Sequence, residues 1–389
     1  MRVLVVNAGS SSLKHALVDA SADAILRHGE ERWEPGAGAG RHAAALCAAL
    51  AGAGGRAEAV GHRVVHGGAR FDGPVRVDGH ARAAIAALAP LAPLHTRAAL
   101  EGIDAASAAL PDLPQVACFD TAFHRTLAPE AATYALPRDW SARFGLRRYG
   151  FHGLNVAWCH EQATRIVGAR RCRRLVVCHL GSGCSVSAVL DGRSVDTTMG
   201  FTPLEGVPMA TRSGSVDPGV LLHLLARGIE LEELDEALNH RSGLLGIAGL
   251  TGLREVERAA TDGDERAQLA FDVLVRGVSG GVAAMTTSLR GLDALVFSAG
   301  AGERSALLRA AICARLGQLG VTVDDARNAG DAEQIAVAGA AVAVLVVRAG
   351  EEIVVARETA QVLGAAGQAL RDEPVVARAI DRQRGDRER

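Results

Sequence analysis

Short unbroken apolar runs, each ending in a glycine-rich turn, alternate along this chain with long alanine-rich stretches. The run over residues 2–6, with Val3-Leu4-Val5-Val6 at its centre, reads as a buried strand, 8–12 as a Gly/Ser turn and 13–19 as a returning strand. The pattern recurs with a strand over 175–180, the tight turn Gly181-Ser182-Gly183 and a returning strand over 184–190, which ends at the hairpin dipeptide Asp191-Gly192. Two such openings suggest two related halves. Between and after them, alanine-rich helices are expected over 40–51 and 80–110, and long helices over 221–238 and 264–288. A third strand-to-turn element, Ala294-Leu295-Val296-Phe297-Ser298-Ala299-Gly300-Ala301-Gly302-Glu303, precedes another helix beginning near Ser305. The tail over 368–389 alternates arginine and acid and reads as solvated or frayed.

With 389 residues and 49% hydrophobic content the chain has enough apolar material for two cores, and 3% aromatics make those cores aliphatic. A net charge of -2 supplies no overall basic field, so nucleic acid is not the expected partner and a small molecule is. Seven scattered cysteines without a C-x-x-C pair disfavour both a disulfide framework and a zinc site, and they fit a reducing cytoplasm. The first residues enter a strand pattern directly, without the basic segment of a signal peptide. The longest strongly apolar run, 335–347, is shorter than the roughly 20 residues that span a bilayer, so no membrane is expected.

Charge type adds a sharper clue. Lys14 is the only lysine among 42 basic residues, and it stands in Asn7-Ala8-Gly9-Ser10-Ser11-Ser12-Leu13-Lys14, where a compact ammonium suits a single phosphate oxygen. Taken singly, each glycine-rich turn reads equally as a plain hairpin. Three at strand ends point to a nucleotide site, because glycine admits close backbone approach and serine adds hydroxyl donors. None matches the P-loop or a complete dinucleotide fingerprint. Four further clusters, at 61–68, 119–124, 149–153 and 209–214, carry the arginines, histidines and acid that phosphoryl transfer uses for charge stabilisation and positioning.

The wording of these segments resembles the acetate kinase family, within the superfamily of sugar kinases, Hsp70 and actin. The resemblance runs from Arg2 to about Thr359. It includes the segments 7–14 and 61–68, Leu91-Ala92-Pro93-Leu94-His95, the segments 119–124, 148–153 and 179–183, the string 194–206, Ser242-Gly243-Leu244-Leu245-Gly246, 299–303 and Glu351-Glu352. It implies an α/β fold of two actin-like (ribonuclease H-like) domains with mixed sheets flanked by helices and an active site in the interdomain cleft. The domains would be 1–122 with a returning segment 353–389, and a nucleotide-binding domain over 123–352. The reaction would be reversible transfer of the ATP γ-phosphoryl group to acetate, and the usual assembly a homodimer.

The same resemblance implies residue roles. Asp120, His152 and Arg212 would be catalytic, with Arg212 and His152 stabilising the transition state. Carboxyl pKa values of roughly 4 mean that acetate is already ionised at neutral pH, so Asp120 is expected to orient acceptor or metal more than to remove a proton. Arg63 would bind the substrate carboxylate, and Val65, Leu94, Phe151 and Pro203 would form the pocket for its methyl group. Asn7 and Glu351 would help hold Mg2+, or Mn2+ in its place. Ser10, Ser12, Lys14 and the turn Gly181, Ser182 and Gly183 would lie near the phosphates. His179, Leu180, Gly252, Leu253, Arg254, Gly300, Ala301, Gly302, Glu303 and Arg304 would also bind the nucleotide, the glycines of the third motif close to a phosphate or to the adenosine.

The chain departs from the family pattern at several of these places. Ser182 replaces an asparagine, Leu154-Asn155-Val156 replaces Thr-Ser-His, and Thr96-Arg97 replaces Asn-Pro. Ala349-Gly350 replaces Thr-Asn, and Arg304 replaces an asparagine. Leu250-Thr251-Gly252-Leu253-Arg254 lacks the aspartate expected to bond the ribose. Three readings follow: an acetate kinase, a related propionate kinase or one using another donor such as pyrophosphate, and a drifted paralogue that binds nucleotide without turnover.

Overall fold

Eleven strands among the described residues form two sheets. The computed structural model describes residues 1–9, 12–32, 44, 48, 57–330 and 332–372, and for Pro90, Pro93, Leu94 and residues 365–372 the backbone alone. Ser10 and nearly all of the helix expected over 40–51 lie outside the described residues.

The first sheet has the order β3-β2-β1-β4-β6-β5, built from β1 (Arg2–Ala8), β2 (Ser12–Asp19), β3 (Ala24–Arg32), β4 (Ala59–Val64), β5 (Val75–Arg76) and β6 (Gln115–Phe119). The second has the order β11-β10-β7-β8-β9, from β7 (Arg174–Leu180), β8 (Cys184–Leu190), β9 (Arg193–Thr197), β10 (Ala294–Ser298) and β11 (Ala343–Val347). In both, an antiparallel meander comes first: β1 pairs β2 and β2 pairs β3, as β7 pairs β8 and β8 pairs β9. The first strand then takes a parallel neighbour, β4 beside β1 and β10 beside β7. The two Gly/Ser hairpins thus hold equivalent places in a repeated α/β arrangement, the mixed-sheet fold that the resemblance implied.

By contact the chain divides into two units: Met1–Val64 with Gly73–Cys118 and the C-terminal segment from Glu352, and Val65–Asp72 with Phe119–Glu351. In the first unit, Leu4, Val6, Leu13 and Val60 pack with Ala105 and Ala106 of the helix Pro93–Ala109. The helix Glu351–Asp372 lies so close to β4 that a Cβ on Gly61 would stand 2.5 Å from Thr359 Oγ1 and 2.8 Å from Val355 Cγ1.

The second sheet is covered on both faces. Successive β7 side chains alternate between two cores, Val176, Cys178 and Leu180 on one side, Leu175 and Val177 on the other, as the period of two requires. Helix Glu265–Leu289 is long and apolar enough to cross a membrane by length and composition, yet ten of its residues are buried, nine of them in the first of these cores. Asp264 caps its start by accepting from Arg266 N and Ala267 N. The six described cysteines are free and buried.

Three expectations change. The stretch 80–110 is broken into Gly79–Ala86, a short turn Ala89–Leu91 and Pro93–Ala109, because Pro90 and Pro93 have no N–H to continue a helix and favour its first turn. Residues 221–238 form two helices, Pro218–Ala226 and Leu231–His240, separated by Gly228 at φ +86°. The segment read as the turn 299–303 is a short helix, Ala299–Arg304, entered by Ala299 at φ +64°; Ser305 then caps the next helix through Leu308 N.

Candidate active site

In the second unit the glycine turn between β7 and β8 gathers several of the expected residues. Buried Gly183 is the meeting point: a Cβ there would lie 3.2 Å from Arg212 Nη1, 3.4 Å from His152 Nε2 and 3.5 Å from His152 Cε1. His152 and His179 stack with ring centroids 3.9 Å apart and planes 14° from parallel. Each ring is anchored at Nδ1, His152 by Ser185 Oγ at 2.9 Å and His179 by the Asn155 amide nitrogen at 2.9 Å. Ser182 is exposed at the tip, while Leu180 is buried and reaches toward the third glycine motif, where a Cβ on Gly302 would be 3.6 Å from its Cβ.

His152 takes a left-handed backbone conformation, φ +59° and ψ +20°, uncommon for a side-chain-bearing residue. It stands at the start of helix Gly153–Val167, where Gly153 N donates to Asp120 O at 2.8 Å. A Cβ on Gly153 would collide with that carbonyl, so glycine here lets the Asp120 backbone approach His152. Asp120 itself is 1% exposed. Arg212 is half-buried and donates from Nη1 to Pro203 O at 3.1 Å. Burial lowers its pKa from the ordinary arginine value, opposed by the nearby Cys184. A guanidinium screened less by water acts more strongly on an anion beside it.

Phe151 and Pro203 are held from behind by residues of the quoted motifs that were given no role of their own, and by Tyr134, which lies outside them. His124 Nε2 meets Phe151 O at 2.9 Å and its Nδ1 meets Ser194 Oγ at 2.7 Å. His66 accepts from Gly68 N at Nδ1, 2.8 Å, leaving Nε2 to donate to Phe201 O at 3.4 Å while its ring meets Phe151 edge-on. Burial pushes both imidazoles down to about 4, so both are neutral near pH 7. The loop carrying Pro203 is knotted by Glu205, which accepts from Tyr134 and, at 2.8 Å, from Arg148 Nη2, and the Tyr134 hydroxyl also accepts from Phe201 N at 2.8 Å. Val65 packs against the core that contains Phe151.

In the first unit, Asn7 and Lys14 face each other across β1 and β2, and Gly9 N donates to Ser12 O at 2.7 Å to close the turn. Lys14 is exposed and has Glu30 opposite it on β3. Arg63 follows His62, which is paired with Val6, so it shares the end of the sheet with Asn7. Leu94 is the second residue of helix Pro93–Ala109 and is described by its backbone alone.

The third motif is fastened more than its sequence suggests. Arg309, 2% exposed, donates to Gly302 O and Glu303 O at 2.9 and 2.7 Å and to Asn328 Oδ1 and O, both at 2.8 Å. Glu303 accepts from Ala349 N at 2.9 Å and so steadies the chain just before Glu351, the first residue of the C-terminal helix. The outward face of Gly300 carries the Arg304 guanidinium, whose Nη2 would be 2.8 Å from a Cβ there. Ala301 is half-buried in the same helix. Gly252 precedes helix Leu253–Thr261, which also carries exposed Arg254; Glu257 of that helix accepts from the Ser305 hydroxyl. Among the described residues no group of three or more His, Cys, Asp or Glu side chains is placed to hold a metal ion.

The Acetokinase family matches residues 50–357. The chain is 47% identical over 396 residues to an acetate kinase of Deinococcus deserti, an alignment covering 94% of this chain and 98% of that protein. A propionate kinase structure from Francisella tularensis superposes with a TM-score of 0.87 at 36% identity, covering 92% of this chain and 99% of that one. The acetate kinase structure of Porphyromonas gingivalis gives 0.84 at 33% identity, with 93% and 99% covered. Matching the family model across most of its length, and similar to these proteins nearly end to end, the chain belongs to the acetokinase family.

Proposed function

We propose that this protein is an acetate kinase, transferring the γ-phosphoryl group of ATP reversibly to acetate to give acetyl phosphate and ADP. The observation that carries the reading is the convergence of the Arg212 guanidinium and the His152 imidazole on Gly183. A transferring phosphoryl group spreads negative charge over its equatorial oxygens, and two donors fixed in advance at one point stabilise it without reorganisation. Asp120 orients the acceptor, Arg63 binds its carboxylate, and Val65, Leu94, Phe151 and Pro203 take its methyl group. Ser10, Ser12, Lys14 and the Gly181-Ser182-Gly183 turn bind donor phosphates. The segments 252–254 and 300–304 serve the nucleoside.

Asn7 and Glu351 offer an amide oxygen and a carboxylate, the hard donors that magnesium or manganese accepts alongside substrate phosphates, and such an ion would neutralise charge on the β- and γ-phosphates. The two actin-like domains of the reading are 1–122 with 353–389, and 123–352. Homodimerisation is supported by the helix Pro218–Ala226, which is apolar yet buries none of its residues and exposes Val220, Leu222 and Leu225. A cytoplasmic location accords with six buried free thiols.

Propionate is a second substrate on this reading, since the Francisella tularensis neighbour is a propionate kinase and one methylene shifts binding in an apolar pocket by only about 1–3 kcal/mol. The test is a hydroxamate-trapping assay that crosses acetate, propionate and butyrate with ATP, GTP and pyrophosphate. Acetyl hydroxamate formed with ATP is expected, with propionate slower. No acyl phosphate from any pair sinks the kinase reading, and activity with pyrophosphate alone would replace the donor.

A further inference from the structure

Asn155 is a buried polar residue, 1% exposed, on helix Gly153–Val167. A side-chain amide removed from water is costly unless its hydrogen-bonding groups find partners, and three are found here. Its Oδ1 accepts from Gly350 N at 3.4 Å, and its Nδ2 donates to His179 Nδ1 at 2.9 Å and to Ser298 Oγ at 3.1 Å. A backbone N–H can only donate, so the amide atom facing Gly350 is oxygen, and the nitrogen therefore faces His179. An amide nitrogen does not accept. His179 Nδ1 is thus the acceptor, carries no proton, and leaves the ring neutral with its hydrogen on Nε2.

That Nε2 lies on the side of the phosphate turn: a Cβ placed on Gly181 would be 3.4 Å from it. On its face the ring is stacked at 3.9 Å on His152, where a second cationic ring would be repelled. Strand pairing sets Ser298 opposite His179, so the amide is gripped by the ends of two adjacent strands and by the loop after a third, β11. We propose that Asn155 is a positioning residue that fixes His179 as the neutral Nε2–H tautomer, so that His179 donates a hydrogen bond to a phosphate oxygen at the Gly181-Ser182-Gly183 turn. The inference rests on the kinase reading for the identity of the anion, and on geometry alone for the tautomer.

The tautomer is read by long-range proton–nitrogen correlation NMR on the full-length protein labelled with 15N-histidine, the His179 signals being those lost in His179→Gln. The wild type is expected to show an unprotonated Nδ1 and a protonated Nε2. In Asn155→Asp the carboxylate only accepts, so Nδ1 should become protonated; in Asn155→Ser, smaller and uncharged, the single tautomer should give way to a mixture. The uncharged Asn155→Ser variant should raise the KM for ATP by about tenfold, the effect of one lost hydrogen bond to a charged group, with the KM for acetate within twofold of wild type. A wild-type His179 protonated at Nδ1 overturns the proposal, and so does an Asn155→Ser protein that keeps one tautomer and the wild-type KM for ATP. A wild type that makes no acyl phosphate would remove the kinase reading, while the NMR result would still decide the role of Asn155.

Discussion

Gly183→Ala adds one methyl group at the point where Arg212 and His152 meet. The backbone tolerates it, since Gly183 is not among the positive-φ glycines. The methyl would stand 3.2 Å from Arg212 Nη1, so the guanidinium must retreat by a few tenths of an ångström, and at 3.4 to 3.5 Å it would come into van der Waals contact with the His152 ring. Misplacement by about 1 Å costs on the order of 100-fold in rate, and the methyl also intrudes where the transferring oxygens would sit. We expect kcat to fall by about 10- to 100-fold. Stability should barely move, because the overpacking cost of ~1 kcal/mol is offset in part by the lower entropy of the unfolded alanine chain. The assay pairs hydroxamate-trapped initial rates with thermal unfolding. A kcat within twofold of wild type would refute the claim that the chemistry occurs against Gly183, and a collapse in Tm would show that the contact is structural.

Arg309→Ala should cost ~3–5 kcal/mol in urea unfolding and raise the KM for ATP more than that for acetate, because the buried oxygens of Gly302, Glu303 and Asn328 lose their donor; a loss below about 1 kcal/mol would contradict this. His62, His66 and His124 sit at about 4 against an unperturbed value of 6.5, so below pH 6.5 the unfolded chain takes up protons that the folded chain refuses. Their stabilising contribution is therefore present in full above about pH 6.5 and lost as pH falls toward about 4, with a drop of ~1.4 kcal/mol per histidine already at about pH 5.5. Equal unfolding free energies at pH 7.5 and 5.5 would show that these rings are not held neutral.

Local pattern made much of the fold legible. The helix expected over 264–288 is found as Glu265–Leu289, because Asp264 caps it and its apolar positions keep the helical period. The two hairpins were readable from apolar runs around Gly/Ser turns. The helix Ala299–Arg304 was not, since its glycines argue for a turn and its entry depends on one left-handed alanine. At the site, motif wording marked His152, Arg212 and Gly183. It gave no role to the residues that anchor the site: Ser185 lies 33 positions from His152, Asn155, named only as a departure, lies 24 from His179, and Tyr134 lies 71 from Glu205. Such partners are brought together only by strand and helix packing, and no local periodicity announces them.

Two departures from the family pattern become intelligible as one packed unit. Trp158 donates from Nε1 to Arg348 O at 2.8 Å, and its indole leaves no room at position 350, where a Cβ would be 2.5 to 2.9 Å from three of its ring atoms. Glycine at 350 follows from the tryptophan. The bare Gly350 N–H then donates to the Asn155 amide, so the asparagine lost beside Glu351 is matched by one gained on the facing helix. An accumulation of unrelated losses would leave buried polar atoms orphaned in this wall. Instead Asn155 bonds both His179 and Ser298, and Glu303 holds Ala349. The departures at Ser182 and Arg304 are on exposed side chains, where change costs the fold little. The departures at Asn155 and Gly350 thus lie in one bonded wall, whereas Thr96 is buried with its hydroxyl unpartnered and has no such compensation.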